Sequence, residues 1–139
     1  MKKVLVLDDE QDILDIWFEQ FRFWGLNVEV HTAKNGQDGL KLLQAVNEYD
    51  LIIADYKMPV MNGLDFIRAL RTYPKFSEIP VFFFSGFAPE LKSHMDKLDN
   101  VMLFEKPFIS EKMKIHIRMC LSKEEPQEPA MSHSELLRA

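Results

Sequence analysis

Four short groups in this sequence carry residue types suited to phosphoryl chemistry. Asp8, Asp9 and Glu10 follow one apolar run directly, Asp55 closes another, Ser85-Gly86 closes a third, and Lys106-Pro107 follows a fourth. Carboxylates brought into one crevice repel: two such charges ~4 Å apart cost about 4 kcal/mol at an effective dielectric near 20. A cluster of Asp8, Asp9 and Asp55 therefore calls for a cation. All-oxygen ligation with no nearby His or Cys suits a hard ion, and Mg²⁺ in particular when a phosphate completes the shell. Lys106 adds a positive charge and Ser85 a hydroxyl that can donate to an anion, which together make a site for handling a phosphoryl group.

These groups meet only if the runs before them are neighbouring strands. Lys3–Leu7, Leu51–Ala54 and Val81–Ser85 are nearly continuous hydrophobic stretches, as expected of parallel strands buried on both faces. Val28–Thr32 alternates and suits an edge, and Met102–Phe104 is a fifth short strand. Helical periodicity fills the intervals. Asp12–Trp24 sets Ile13, Trp17, Phe21 and Trp24 on one stripe and stops at Gly25. Gln37–Val46, Gly63–Arg71 (behind Asn62 as cap), Pro89–Leu98 and Glu111–Leu121 follow. The order is (βα) five times over, which predicts an α/β fold, a doubly wound five-stranded parallel sheet covered on both faces. Functional groups in such sheets sit beyond the carboxyl ends of the strands, where all four motifs fall.

The bulk properties agree and exclude other classes. A length of 139 residues suits one domain, expected over 1–122, with a polar, Pro-containing tail or linker over 123–139. A net charge of −5 argues against direct nucleic-acid binding. One cysteine, Cys120, excludes an internal disulfide, no run is long enough for a membrane span, and a cytoplasmic protein is expected. The four histidines, His31, His94, His116 and His133, show no ligand spacing.

Asp8-Asp9, then Asp55–Gly63 (DYKMPVMNG), then Ser85-Gly86, then Lys106-Pro107-Phe108 resembles the full signature of response-regulator receiver domains, over about residues 2–122. The resemblance implies a flavodoxin-like fold and a signalling receiver that catalyses only its own phosphotransfer and dephosphorylation. Asp55 would accept a phosphoryl group from a sensor histidine kinase or a histidine phosphotransfer protein. Asp9 and Asp55 would ligate Mg²⁺, Asp8 through a water, and the Lys57 main-chain carbonyl would add a ligand. Ser85 and Lys106 would hold phosphoryl oxygens, the bond before Pro107 is expected to be cis, and output would run through changed protein contacts with a downstream target.

The sequence also departs from that pattern. Many receivers carry Tyr or Phe three residues before the lysine as part of the switch with the hydroxyl residue; here the position is Leu103, and Phe104 should face the other side of the sheet. Phe87 and Lys57 would flank the phosphoryl group and alter its lifetime. Phe18 and Phe23 lie at the margins of the first helical stripe, either buried in a broad core face or exposed for docking of a phosphodonor. Ile115 and Met119 lie opposite the core side of the last helix and suggest a homodimer or partner patch. The rival reading is a degenerate receiver that binds partners without phosphorylation. A haloacid-dehalogenase-type phosphatase would need DxDx(T/V) after the first strand, and a dinucleotide-binding protein GxGxxG; neither is present. A stand-alone receiver and one domain of a longer regulator both fit, and Ser134–Arg138 (SELLR) would be the first turn of a further helix in the second case.

Overall fold

A computed structural model describes residues 1–86, 88–95, 98–105 and 110–122. The elements alternate: β1 (Lys2–Leu7), α1 (Gln11–Phe23), β2 (Val28–Ala33), α2 (Gly36–Val46), β3 (Leu51–Asp55), α3 (Gly63–Arg71), β4 (Val81–Ser85), α4 (Ala88–Met95), β5 (Val101–Glu105) and α5 (Glu111–Leu121), with a short 3₁₀ turn at Pro74–Phe76. All strands are parallel, in the order β2-β1-β3-β4-β5. The doubly wound five-stranded sheet expected from the periodicity is the fold observed. The order reverses between β1 and β3, so a crevice opens at their carboxyl ends, and that is the binding position in such sheets.

Burial follows the strand order. Every residue of β3 and β4 is buried, because both lie inside the sheet under helices on both faces, whereas β2 at the edge keeps partly exposed positions. On one face α1 and α5 bring Leu14, Trp17, Phe21, Met113 and Ile117 onto Val4, Ile53 and Phe82. On the other, α2, α3 and α4 bring Leu43, Phe66, Ile67 and Leu91 onto Leu5, Ile52 and Phe83. Each fully buried side chain of this size is worth roughly 1.5–3 kcal/mol. Gly39 makes the α2 side possible, since a Cβ there would collide with Leu7.

The helix ends have local causes. Asn35 and Asn62 each accept a backbone N–H, from Asp38 and Asp65 respectively at 2.8 Å, and so cap α2 and α3. Ser110 does the same for Met113 at the start of α5. Gly25 stops the chain after α1 with φ +69°, a conformation that costs a side chain-bearing residue more. At the far end of the sheet the half-buried Arg71 guanidinium donates to the carbonyls of Ile79 (2.8 Å), Phe76 (2.9 Å) and Asp99 (3.1 Å), tying α3 to the two loops below it. Burial lowers its pKa from the usual value, opposed by Asp99 and Glu78.

Some details differ from the sequence reading. Leu14, absent from the expected stripe, is buried, while Ile13 is only half-buried. Phe18 and Phe23 are not covered: they are 40% and 83% exposed, because the stripe that meets the sheet is narrower than the apolar content of α1. The helix expected over Pro89–Leu98 does not include Leu98, whose N–H bonds to Met95 in a non-helical stretch. The tail and the SELLR segment lie outside the described residues.

Candidate acidic site at the carboxyl ends of the strands

The acidic groups arrive from β1 and β3, neighbours in the sheet with Leu7 paired to Ala54. Asp8 leaves β1 with its N–H on the Ala33 carbonyl (3.1 Å), and its Oδ1 accepts the N–H of Glu10 at 2.9 Å. That second bond turns the chain into α1, whose positive N-terminal end then stands beside the cluster and offsets part of its charge. Asp55 is the last residue of β3. One carboxylate oxygen from each of Asp8, Asp9 and Asp55 falls within 4.8 Å of the others. Asp8 and Asp55 are buried, 4% and 5% exposed, and Asp9 is exposed, so the cluster opens to solvent on one side. Buried oxygens at this spacing fit a hard divalent cation, and the open side leaves room for water or phosphate ligands.

The loop after Asp55 is held from three directions. The Tyr56 N–H donates to the Phe84 carbonyl (2.8 Å), the Gly63 N–H to the Tyr56 carbonyl (2.8 Å), and the Gly36 N–H to the Met61 carbonyl (3.0 Å). Gly63 sits so close that a Cβ there would collide with the Asp55 carbonyl oxygen. Lys57 is exposed in this loop. Val60 is 77% exposed with φ +68°, an unusual conformation for a β-branched residue.

Ser85 ends β4, buried at 3% exposure and paired in register with Glu105 of β5. Leu103 pairs with Phe83 and packs in the layer of α3 and α4, while Phe104 faces α1 and α5, stacked on Phe84 with ring centroids 5.4 Å apart. The predicted alternation of these two residues holds, and no aromatic shares the face of Leu103 on β5. Lys106, Pro107 and Phe87 lie outside the described residues.

Sequence reasoning missed one polar cluster. His31 on the edge strand lies between the Tyr49 hydroxyl (2.7 Å from Nδ1) and the Glu29 carboxylate (2.9 Å from Nε2). Burial, then the charge of Glu29, pushes the Tyr49 phenol up to about 12. Strand alternation does put His31 and Glu29 on one side, which was the available signal.

A family model described as the response regulator receiver domain matches residues 4–118. The chain belongs to that family. It is thus a receiver domain of the two-component type. The response regulator SaeR of Staphylococcus aureus is 35% identical over 71 residues, 51% of this chain. The match spans 29% of SaeR, so this chain corresponds to a minor part of that relative. The chemotaxis protein CheY4 of Vibrio cholerae superposes with a TM-score of 0.75 at 30% identity, covering 87% of this chain and 99% of that one. TrrA of Thermotoga maritima, solved in complex with Mg²⁺ and BeF, has a TM-score of 0.71 at 28% identity, covering 87% of this chain and 100% of that one. No helix among the described residues is long and apolar enough to cross a membrane.

Proposed function

We propose that this receiver domain accepts a phosphoryl group on Asp55 in the presence of Mg²⁺ and signals by changing its protein contacts. The observation that carries the reading is the convergence of Asp8, Asp9 and Asp55 oxygens within 4.8 Å at the topological switch point. Asp9 and Asp55 would hold Mg²⁺ directly, Asp8 through water, with the Lys57 carbonyl as a further ligand. Bound there, the ion supplies the positive charge that lets an anionic donor approach three carboxylates. The capture of Mg²⁺ and BeF by the TrrA structure supports the same chemistry here.

A carboxylate oxygen of Asp55 attacks phosphorus, the bond from phosphorus to the donor's leaving atom breaks (a histidine nitrogen, or the acyl oxygen of an acyl phosphate, which departs as a carboxylate), and an aspartyl phosphate results. Donors are a sensor histidine kinase, a histidine phosphotransfer protein, or a small acyl phosphate. Ser85 and Lys106 take phosphoryl oxygens, by a hydroxyl bond and by charge. The new anion then biases the contacts around Ser85, Leu103 and Pro107. With Leu103 in place of an aromatic, repacking in the α3 and α4 layer replaces the swing of a ring. The domain turns over no external substrate beyond its own phosphorylation and works in the cytoplasm. Self-association through α5 belongs to the same proposal.

The test is intact-mass measurement after incubation with acetyl phosphate and Mg²⁺, with Asp55→Asn alongside. A gain of one phosphoryl group in the wild type alone supports the reading. No gain with acetyl phosphate or with a phosphorylated histidine donor would favour a degenerate, phosphorylation-independent binding module.

A further inference from the structure

The acidic site is assembled from two separate stretches of chain, and one short connection touches both. Asp8 leaves β1 with its N–H on the Ala33 carbonyl (3.1 Å), and the loop after Asp55 receives the Gly36 N–H on the Met61 carbonyl (3.0 Å). Ala33 ends β2 and Gly36 opens α2, so only Lys34 and Asn35 lie between the two anchors. The connection over residues 33–36 therefore spans the two sources of the carboxylates that converge within 4.8 Å.

The start of α2 is built to aim that donor. Asn35 caps the helix, its side chain accepting the Asp38 N–H at 2.8 Å and its carbonyl the Gly39 N–H at 3.1 Å. An N–H in the first turn has no carbonyl inside the helix to bond, and that of Gly36 goes to Met61 instead. Met61 is held from its other side too: its own N–H donates to the Pro59 carbonyl (2.7 Å), which closes a tight turn around Val60. The turn keeps Val60 at φ +68° with its side chain 77% exposed, so burial does not offset the strain. Such strain persists where neighbouring bonds over-determine it, and it gathers at functional loops.

Position 36 requires glycine for room. A Cβ there would lie 2.8 Å from Met61 Cγ, 2.9 Å from Phe66 Cβ and 3.0 Å from the Met61 carbonyl oxygen. Phe66 is fully buried on α3 whereas Met61 is half-buried in a loop, so the loop is what gives way. The two ends of that loop cannot follow, because the Gly63 N–H on the Tyr56 carbonyl and the Tyr56 N–H on the Phe84 carbonyl fix them, both at 2.8 Å. A shift at Met61 is thus taken up over residues 57–60, the stretch that includes the Lys57 carbonyl. Resting on the assignment of the acidic cluster as a Mg²⁺ site, we propose that Gly36 is a positioning residue for the metal, acting through Met61 on the loop that carries the Lys57 carbonyl. The β2–α2 connection then sets Mg²⁺ affinity from outside the ligand set, holding Asp8 through Ala33 and the loop through Gly36.

Calorimetric Mg²⁺ binding to the full chain, alongside urea unfolding, tests this. Gly36→Ala should weaken Mg²⁺ binding about five- to tenfold, an ordinary size for coupling between sites. Labelling by acetyl phosphate should slow at limiting Mg²⁺ and return close to the wild-type rate at saturating Mg²⁺. Leu43→Ala, deep in the core on the same helix, should lower stability as much or more and leave Mg²⁺ binding unchanged. Met61→Ala added to Gly36→Ala removes the closest contact and should restore part of the affinity. Coupling is reciprocal, so in the wild type Mg²⁺ should slow hydrogen exchange at the Gly36 N–H more than at the Leu43 N–H. A folded Gly36→Ala that binds Mg²⁺ as tightly as the wild type overturns the proposal, as does an equal loss of affinity in Leu43→Ala. Should Gly36→Ala fail to fold, the exchange comparison decides, and equal slowing at the two amides overturns the proposal. A folded wild type that binds no Mg²⁺ overturns the assignment of the site and the proposal together, whereas Mg²⁺ binding without labelling counts against phosphorylation alone.

Discussion

Gly63 donates its N–H to the Tyr56 carbonyl oxygen at 2.8 Å, which closes the loop that leaves the proposed acceptor and delivers the chain into α3. The bond places the Gly63 Cα against the Asp55 main chain, where a Cβ would collide with the Asp55 carbonyl oxygen and approach the Phe83 ring to 2.7 Å. Because one contact is backbone, the neighbour cannot turn away. Gly63→Ala should therefore cost about 1–3 kcal/mol, the range for overpacking a tight site. Urea unfolding measures that loss. The rate of labelling by acetyl phosphate should fall further than the loss of folded protein explains, since the displaced atom belongs to Asp55.

Val60 presents the opposite case. Its φ of +68° strains a β-branched residue, and its side chain is 77% exposed, so little burial offsets the strain. The left-handed conformation costs a non-glycine residue roughly 1–2 kcal/mol, while glycine adds about 0.4–1 kcal/mol of unfolded-state entropy. Val60→Gly should raise stability by about 0.5–1 kcal/mol in urea unfolding. A loss of stability would show that the Val60 side chain makes a contact worth more than the strain.

The His31 cluster gives a pH dependence with a defined sign. Burial and Glu29 favour the neutral Tyr49 phenol, raising its pKa from 10.0 to about 12. Between those values the unfolded chain has released the proton and the folded chain has kept it, so stability falls as pH rises. The contribution is intact below the unfolded pKa and lost on passing through the folded one. Urea unfolding from pH 9 upward should show a steeper decline for the wild type than for Tyr49→Phe. Parallel curves for the two proteins would contradict the burial account.

These cases show what was legible in the sequence and what was not. Asp8, Asp9 and Asp55 could be placed because residue type and strand-end position suffice: a carboxylate after an apolar parallel strand has one crevice to enter. The Leu103 and Phe104 faces followed from strand alternation alone. The exposure of Phe23 was not readable, because a helical angle locates a margin and only neighbouring helices decide whether it is covered. Tyr49, in the loop before β3, and His31, on β2, are eighteen residues apart, so no local pattern joins them. The positive φ of Val60 was hidden for a related reason, since it belongs to a tight turn closed across it by the Met61 N–H on the Pro59 carbonyl (2.7 Å), against the preference of the residue.

Removing one carboxylate separates metal binding from phosphoryl acceptance. Asp9 is exposed and belongs to neither β1 nor α1, so Asp9→Asn should leave the fold intact. It takes away one of three charges converging within 4.8 Å. Mg²⁺ affinity, followed by calorimetry, should fall roughly ten- to a hundredfold, about 1.4–2.7 kcal/mol. Labelling should become slow at low Mg²⁺ and recover in part at high Mg²⁺.

The most direct measurement is peptide mapping of the phosphorylated residue after acetyl phosphate treatment with Mg²⁺ and again with a chelator. The phosphoryl group should be found on Asp55, present with Mg²⁺ and absent with the chelator. Phosphoryl on another residue, or labelling of Asp55 that is indifferent to the chelator, would contradict the account.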